Sequence, residues 1–191
     1  MLLLCTANQC RSPMAEALLR HRLGATGAEV RVSSAGLLPG GRPATAHGQA
    51  VMADRGLDLS GHESRRVDSS MVAQADLIVG MAREHVREVA VIQPDALARA
   101  FTLQELVRAA TAVGPRRSDE PLEQWLRTVA AGRRREALVG VGHDDSYDIA
   151  DPVGGSRLDY NTTADELTHL LDVLVAMIWP AGLQHGQERS A

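Results

Sequence analysis

Two cysteines and an arginine lie close together near the amino terminus, in the segment Cys5-Thr6-Ala7-Asn8-Gln9-Cys10-Arg11-Ser12-Pro13. This segment follows the short apolar run Met1–Leu4 and precedes a stretch with helical periodicity. A loop between a parallel strand and the first turn of a helix directs backbone N–H groups and the positive end of the helix dipole into one small space. We therefore expect an anion site here, of a size that suits a tetrahedral oxyanion such as phosphate.

Cys5 and Arg11 stand at opposite ends of this loop. A cysteine thiolate is a strong nucleophile, and positive surroundings favour the thiolate over the thiol. An arginine guanidinium is planar and permanently charged, and it can bind two oxygens of one anion. Ser12 is expected to cap the helix and to donate a hydrogen bond to Cys5. The pattern predicts that Cys5 attacks a phosphoryl group held by Arg11.

The remaining residues of the loop, Thr6, Ala7, Asn8, Gln9 and Cys10, are expected to surround the anion. Asn8 is a residue type that tolerates left-handed backbone geometry, so it can hold the loop open. A bare Cys-x5-Arg pattern arises often by chance, and two buried thiols at a strand end can be inert. The preceding strand and the following Ser-Pro helix start make the inert alternative the minor one.

Strand and helix patterns alternate along the chain, which is typical of an α/β fold with a parallel sheet flanked by helices. The predicted strands are Met1–Cys5, Ala28–Ser34, Ala75–Met81 and Ala98–Leu103. The predicted helices are Pro13–Leu23, Thr45–Arg55, Arg83–Val91 and Asp165–Trp179. We therefore expect a single domain over residues 1–180 and a loose tail over residues 181–191.

The segment 111–147 differs from the rest of the chain. It contains Gly-Pro and Glu-Pro breaks, a run of three arginines and one predicted helix around Trp125. It is too short and too polar to form its own core, so we interpret it as an insertion or lid.

Composition excludes several classes of protein. The net charge of −4 and the pI of about 6.0 argue against a nucleic-acid-binding domain, which normally carries a basic excess. Neither the apolar run Met1–Leu4 nor Leu170–Trp179 is long enough for a signal or a membrane span, so we expect a cytoplasmic protein. Both cysteines lie in one loop, which rules out a disulfide framework and a four-thiol zinc site. No cofactor or metal is expected, and the oligomeric state is not indicated.

The loop resembles the signature of the low-molecular-weight protein tyrosine phosphatases, usually Cys-x-Gly-Asn-x-Cys-Arg-Ser-Pro. The resemblance covers about residues 1–107 and 151–179, and continues through Ser34-Ala35-Gly36, Gly56-Leu57-Asp58, His62 with Arg65, Ala75-Asp76-Leu77-Ile78, Met81 and Asp151-Pro152. It implies a four-stranded, Rossmann-like parallel sheet and hydrolysis of a phosphomonoester through a phosphocysteine intermediate.

The resemblance also implies roles for individual residues. Cys5 is the nucleophile, Arg11 binds the phosphate, Asp151 donates a proton, and Ser34 and His62 support Asn8 from behind. The implied substrate is a phosphorylated protein or a small phosphomonoester.

Other aspartates compete with Asp151 for the role of acid, namely Asp144, Asp145 and Asp148. We prefer Asp151 because Pro152 stiffens the turn that presents it, and because two glycines after Val153 let the loop bend. The family also places its acid in an Asp-Pro pair.

The sequence departs from the family pattern at the substrate groove. Ala7 stands where the family usually has Gly, and aromatic residues make up only 3% of the chain. The stretches Leu37–Gly41 and Val153–Gly155 lack the aromatic side chains that usually wall the groove, so a phosphotyrosine ring loses its stacking partners. Trp125 or Tyr147 of the added segment can supply such walls instead.

Gln9 stands at the crest of the loop, where family members with Thr act on phosphoarginine. Phosphotyrosine, phosphoarginine and a small phosphate ester therefore all stay open as substrates. Thiol-dependent arsenate reductases use a similar loop but need further cysteines, and none follows Cys10. A non-catalytic phosphate-binding module needs no general acid, so the presence of Asp151 argues against it.

Overall fold

The centre of the molecule is a four-stranded parallel sheet. The computed structural model describes residues 1–133 and 147–180. Its strands are β1 (Leu2–Cys5), β2 (Ser33–Gly36), β3 (Ile78–Gly80) and β4 (Ala100–Thr102), in the spatial order β2-β1-β3-β4. The predicted α/β fold with four parallel strands is confirmed. The chain turns to one side of β1 to form β2 and to the other side to form β3. The carboxyl end of β1 is therefore the topological switch point, where open α/β sheets bind their ligands.

Helices cover both faces of this sheet. They are α1 (Arg11–Gly24), α2 (Ala46–Ala53), α3 (Ser69–Gln74), α4 (Arg83–Ile92), α5 (Leu103–Val113), α6 (Leu122–Ala130) and α7 (Arg157–Ile178), with a 3₁₀ helix over Pro94–Arg99. Within the described ranges, none of them is long and apolar enough to cross a bilayer.

Alternate residues of β1 enter two separate cores. Leu3 and Cys5 pack with α1, α5 and α7 on one face, while Leu2 and Leu4 pack with α3 and α4 on the other. A strand that is buried on both faces has a continuous apolar sequence. This is why β1 could be predicted from the sequence. The double burial fixes the position from which Cys5 enters the loop.

Two predicted elements, β2 and α7, begin furthest from their predicted starts. β1 has four residues and pairs in register with Ser33–Gly36, so the chain before Ser33 finds no partner strand, and the prediction of a strand from Ala28 is wrong. α7 begins at Arg157 rather than Asp165. The Ser156 hydroxyl accepts a hydrogen bond from the Asp159 N–H, and the Asp159 carboxylate accepts one from the Ser156 N–H. This capping box starts the helix earlier than its apolar periodicity indicates.

The first part of the added segment packs on the main core. The predicted helix around Trp125 is present as α6, but the Trp125 side chain is only 1% exposed and its Nε1 donates to the Gly114 carbonyl at 3.1 Å. The expectation that Trp125 can wall a substrate groove is therefore wrong, because its apolar ring is buried in the core. Asp144 and Asp145 lie outside the described residues.

Arg133 anchors the end of this part. Its guanidinium forms a two-pronged ion pair with Glu105, with N···O distances of 2.8 and 3.0 Å. It also donates to the carbonyls of Leu97 and Ala100 at 2.8 Å and lies 4.1 Å above the Phe101 ring centre. Arg133 thereby links α5 to the strand β4 and the 3₁₀ helix.

Candidate active site

The loop between β1 and α1 runs from Cys5 to Cys10. α1 begins at Arg11, two residues earlier than predicted, so Ser12 lies inside its first turn and the prediction that Ser12 is the N-cap is wrong. Cys10 occupies the N-cap position, and no side chain of the described residues caps the helix there. The amide groups of the first turn therefore remain for an anion.

Ser12 contacts the sulfur of Cys5. The Ser12 Oγ and Cys5 Sγ are 3.0 Å apart, and both side chains are buried. Since Ser12 Oγ accepts from Asn8 Nδ2 at 2.9 Å, its single proton is left for the sulfur or for the Ala35 carbonyl at 3.5 Å. The shorter contact is with Cys5, so Ser12 can stabilise a Cys5 thiolate by donating to it.

Asn8 connects the loop to the residues behind it through several hydrogen bonds. It is fully buried and has a φ of 53°, the left-handed conformation that its residue type tolerates. Its Nδ2 donates to Ser12 and to Ser34 Oγ at 2.8 Å, and its Oδ1 accepts from the Arg65 N–H at 3.0 Å. The Asn8 carbonyl accepts from His62 Nε2 at 2.6 Å. Ser34 and His62 thus lie where the sequence analysis placed them, against Asn8.

Ala7 and Gly36 show how tightly β2 packs behind the loop. Among described non-glycine residues only Asn8 has a positive φ, so alanine at position 7 carries no backbone strain of that kind. The close approach is at Gly36 instead. A Cβ atom there would lie 2.7 Å from the Asn8 nitrogen and 2.9 Å from the Thr6 carbonyl oxygen. The absence of a side chain at Gly36 is what lets the loop close over the strand.

Arg11 reaches back across the loop and is only 5% exposed. Its Nη1 donates to the Ile149 carbonyl at 3.0 Å, and its Nη2 donates to Thr6 Oγ1 at 3.2 Å and pairs with Asp151. Its Nε is buried and has no hydrogen-bond partner among the described residues. A buried charged donor without an acceptor is costly, so Nε marks a position for an oxygen of a bound phosphate.

The structure separates the two described candidates for the acid. Asp151 pairs with Arg11 through Oδ2, accepts from the Val153 N–H through Oδ1 at 3.2 Å, and has a side chain that is 41% exposed. Asp148 Oδ1 instead accepts from the Arg83 N–H at 2.9 Å, at the start of α4. Of these two aspartates, Asp151 therefore lies at the anion loop, whereas Asp148 caps a helix.

Cys10 differs from Cys5 in its surroundings. It is 3% exposed, and burial, with a smaller contribution from Asp151, raises the pKa of its thiol to about 12. Cys10 therefore stays protonated at neutral pH and does not compete as a nucleophile.

Two residues next to the loop were missed from the sequence, Glu84 and His85. Both lie in the first turn of α4. Both contact Thr6 Oγ1, at 2.9 Å from Glu84 Oε1 and 3.2 Å from His85 Nε2. The only available signal was their position shortly after an apolar strand. Polar residues in the first turn of a helix are usually caps, so that signal is weak.

Two exposed aliphatic residues lie beside the anion loop. Leu38 is 49% exposed and Val153 is 57% exposed. The N–H of Leu38 donates to the Thr6 carbonyl at 3.1 Å, and Val153 contacts Asp151, so both lie beside the anion loop. Tyr147 lies against Arg108 of α5, whose guanidinium carbon is 5.9 Å from the ring centre. Within the described residues, no group of three His, Cys, Asp or Glu side chains is placed to bind a metal ion.

This chain is similar in sequence to a known family of proteins. The family model described as low molecular weight phosphotyrosine protein phosphatase matches residues 1–124. A probable low molecular weight protein-tyrosine-phosphatase, EpsP, of Ralstonia solanacearum is 40% identical over 106 residues, which are 55% of this chain and 70% of that protein. The protein-arginine-phosphatase of Bacillus subtilis is 30% identical over 176 residues, 91% of this chain and 93% of that protein.

A solved structure agrees with these sequence relationships. The YwlE arginine phosphatase from Geobacillus stearothermophilus has a TM-score of 0.70 and 28% identity, covering 97% of this chain and 96% of its own. Because the family model spans more than half of the chain and one relative matches nearly all of it, this protein belongs to the low-molecular-weight phosphotyrosine protein phosphatase family, a family of cysteine-dependent phosphatases.

Proposed function

We propose that this protein is a protein phosphatase in which Cys5 is the nucleophile, Arg11 binds the phosphoryl group and Asp151 is the general acid. One observation carries the proposal. The Cys5 sulfur lies 3.0 Å from a hydroxyl that can donate to it, in the loop whose buried Arg11 has an unpartnered Nε and an ion pair with Asp151. A site that only binds phosphate needs neither the activated sulfur nor the carboxylate.

In the first step, the Cys5 thiolate attacks phosphorus while Arg11 and the loop amides hold the phosphoryl oxygens. The sulfur–phosphorus bond forms as the bond from phosphorus to the leaving oxygen breaks. Bound phosphate takes the Nη2 position that Asp151 occupies in the structure, which frees Asp151 in its protonated form to give a proton to the leaving oxygen.

In the second step, a water molecule attacks the phosphocysteine. The Asp151 carboxylate takes a proton from that water, the sulfur–phosphorus bond breaks, and inorganic phosphate leaves. Ser12 then stabilises the departing Cys5 thiolate by the same hydrogen bond that it offers at the start. One carboxylate serves as acid and then as base.

Phosphoarginine in proteins is a second candidate substrate beside phosphotyrosine. The observation that favours it is that the two exposed residues beside the anion loop, Leu38 and Val153, are aliphatic and offer no aromatic face to a tyrosine ring. The B. subtilis arginine phosphatase also aligns with 91% of the chain, whereas the EpsP relative aligns with 55%. Turnover of matched phosphotyrosine and phosphoarginine peptides would rank the two substrates.

The experiment that tests the chemistry is turnover of para-nitrophenyl phosphate in the presence of EDTA. We expect activity that EDTA does not reduce, because Arg11 and the loop amides supply the positive charge at the phosphoryl group. Cys5→Ser should abolish it. Cys10→Ser, which removes the neighbouring buried thiol, should retain it. Activity in Cys5→Ser, or an inactive protein that only magnesium or zinc restores, would contradict the proposal.

A further inference from the structure

His85 lies behind the anion loop in a fixed protonation state. It is fully buried. Its Nδ1 accepts a hydrogen bond from the Ala82 N–H at 2.8 Å, so the ring proton sits on Nε2. Burial, together with the nearby charge of Arg11, lowers the pKa of His85 to about 3. The imidazole is therefore neutral and presents one N–H toward the loop.

That N–H meets the hydroxyl of Thr6. Thr6 Oγ1 lies 2.9 Å from Glu84 Oε1, 3.2 Å from His85 Nε2 and 3.2 Å from Arg11 Nη2. A hydroxyl has one proton and two lone pairs. Since a carboxylate can only accept, the Thr6 proton goes to Glu84, and the lone pairs accept from Arg11 and from the His85 N–H. That N–H is shared with Glu84 Oε1, which lies 3.3 Å from His85 Nε2. Glu84 and His85 together fix the direction in which Thr6 accepts from Arg11.

This arrangement decides which part of the guanidinium faces the substrate. Arg11 is held at Nη1 by the Ile149 carbonyl and at Nη2 by Thr6. Nε, which is buried without a partner among the described residues, and the Nη2 proton paired with Asp151 remain for phosphate oxygens. These two contacts fix the rotation of the planar Arg11 guanidinium. That rotation determines the direction in which its remaining N–H groups can bind two oxygens of one anion.

The turn that leads from β3 into α4 also positions the segment that carries Asp151, the proposed general acid. The Ile149 N–H donates to the Met81 carbonyl at 2.7 Å, and Asp148 caps the first turn of α4. The turn between β3 and α4 therefore reaches Arg11 through Thr6, and it holds Ile149, which lies two residues before Asp151 and also accepts from Arg11.

We propose that His85 is a positioning residue of the phosphatase reaction, acting through Thr6 to orient the Arg11 guanidinium for the phosphoryl group. This inference rests on the proposed function, since it concerns the residue that binds the phosphate there. His85 takes part in no proton transfer, because it is neutral and does not reach the reacting atoms.

A pair of substitutions separates this role from support of the fold. The Oδ1 of asparagine in His85→Asn can replace Nδ1 as acceptor for the Ala82 N–H, but the side chain is too short to reach Thr6. His85→Gln is longer and restores a donor toward Thr6. We expect His85→Asn to raise the inhibition constant of inorganic phosphate by about fivefold, the factor for loss of one ordinary hydrogen bond. His85→Gln should recover part of this loss, and Asn and Gln variants with equal inhibition constants would contradict the proposal.

A double-mutant cycle tests whether the effect passes through Thr6. Thr6→Val removes the hydroxyl at nearly constant volume and should itself weaken phosphate inhibition. If His85 acts through Thr6, His85→Asn should add little in the Thr6→Val background. Additive losses would overturn the proposal, and so would an unchanged inhibition constant in Thr6→Val. The inhibition constant of Thr6→Val tests the proposal even if His85→Asn does not fold, because that measurement does not use the His85 variant.

Failure of the positioning role of His85 can be distinguished from failure of the proposed function. The proposed function fails if the wild-type protein does not turn over para-nitrophenyl phosphate or if Cys5→Ser remains active. The positioning role fails if the wild type is active and His85→Asn binds phosphate equally well. The dependence of turnover on leaving group should be the same in His85→Asn and wild type, because His85 does not act on proton donation by Asp151.

Discussion

Replacing Asp151 with asparagine should have opposite effects on turnover and on phosphate binding. The substitution removes the acid, so kcat for substrates with poor leaving groups should fall by about a hundredfold to ten-thousandfold. It also removes the negative charge that pairs with Arg11 Nη2. Because the Asp151 side chain is 41% exposed, solvent screens that pair, whose contribution is then about 0.2–1 kcal/mol. In Asp151→Asn, phosphate no longer has to displace a carboxylate from Arg11. The inhibition constant of phosphate should therefore fall by about 1.5- to 5-fold.

The assay is a graded series of aryl phosphates, with inorganic phosphate as competitive inhibitor. The loss in kcat should shrink as the leaving group improves, since a good leaving oxygen needs little protonation. Asp148→Asn is the matched control. It keeps the oxygen that accepts from the Arg83 N–H and should change kcat little. Equal losses in Asp151→Asn across the whole series, or a larger loss in Asp148→Asn, would refute the assignment of the acid.

Three further predictions concern residues around the site. Gly36→Ala should destabilise the protein by about 1–3 kcal/mol in urea unfolding and lower phosphatase activity, because its Cβ would lie 2.7 Å from the Asn8 nitrogen. Gly24→Ala, with open space around it, should do neither. Arg133→Met should cost about 3 kcal/mol by leaving the Glu105 carboxylate without its partner, measured in the same way. His85 binds a proton in the unfolded chain below about pH 6.5 but in the folded chain only below about pH 3. The free energy of unfolding should therefore fall as pH drops through that window, and less steeply in His85→Asn.

The sequence predicted the loop because its constraints are local. Cys5 and Arg11 are six positions apart, and a buried strand on one side and a helix start on the other determine where they point. Asn8 was also predictable, since few residue types adopt a φ of 53°. The parallel sheet followed from the alternation of apolar strands and helices.

Other features depend on contacts that sequence periodicity does not report. Glu84 and His85 reach Thr6 across more than seventy positions, and only the pairing of β1 with β3 brings them there. Ser12 looked like a cap, but α1 starts one residue before it. The sequence allowed Trp125 to line a substrate groove, but the packing of α6 buries its side chain. In each case tertiary packing overrides a local signal.

The central claim is that Cys5 carries the phosphoryl group during turnover. The most direct measurement is rapid acid quenching of the protein during hydrolysis of para-nitrophenyl phosphate, followed by peptide mapping by mass spectrometry. Asp151→Asn should be included, because loss of the base that activates water is expected to prolong the intermediate when the leaving group is good. The account predicts one phosphate on the peptide that contains Cys5, bound to the sulfur of Cys5. Turnover with no phosphate on Cys5 in either protein, or with phosphate on another side chain, would contradict it.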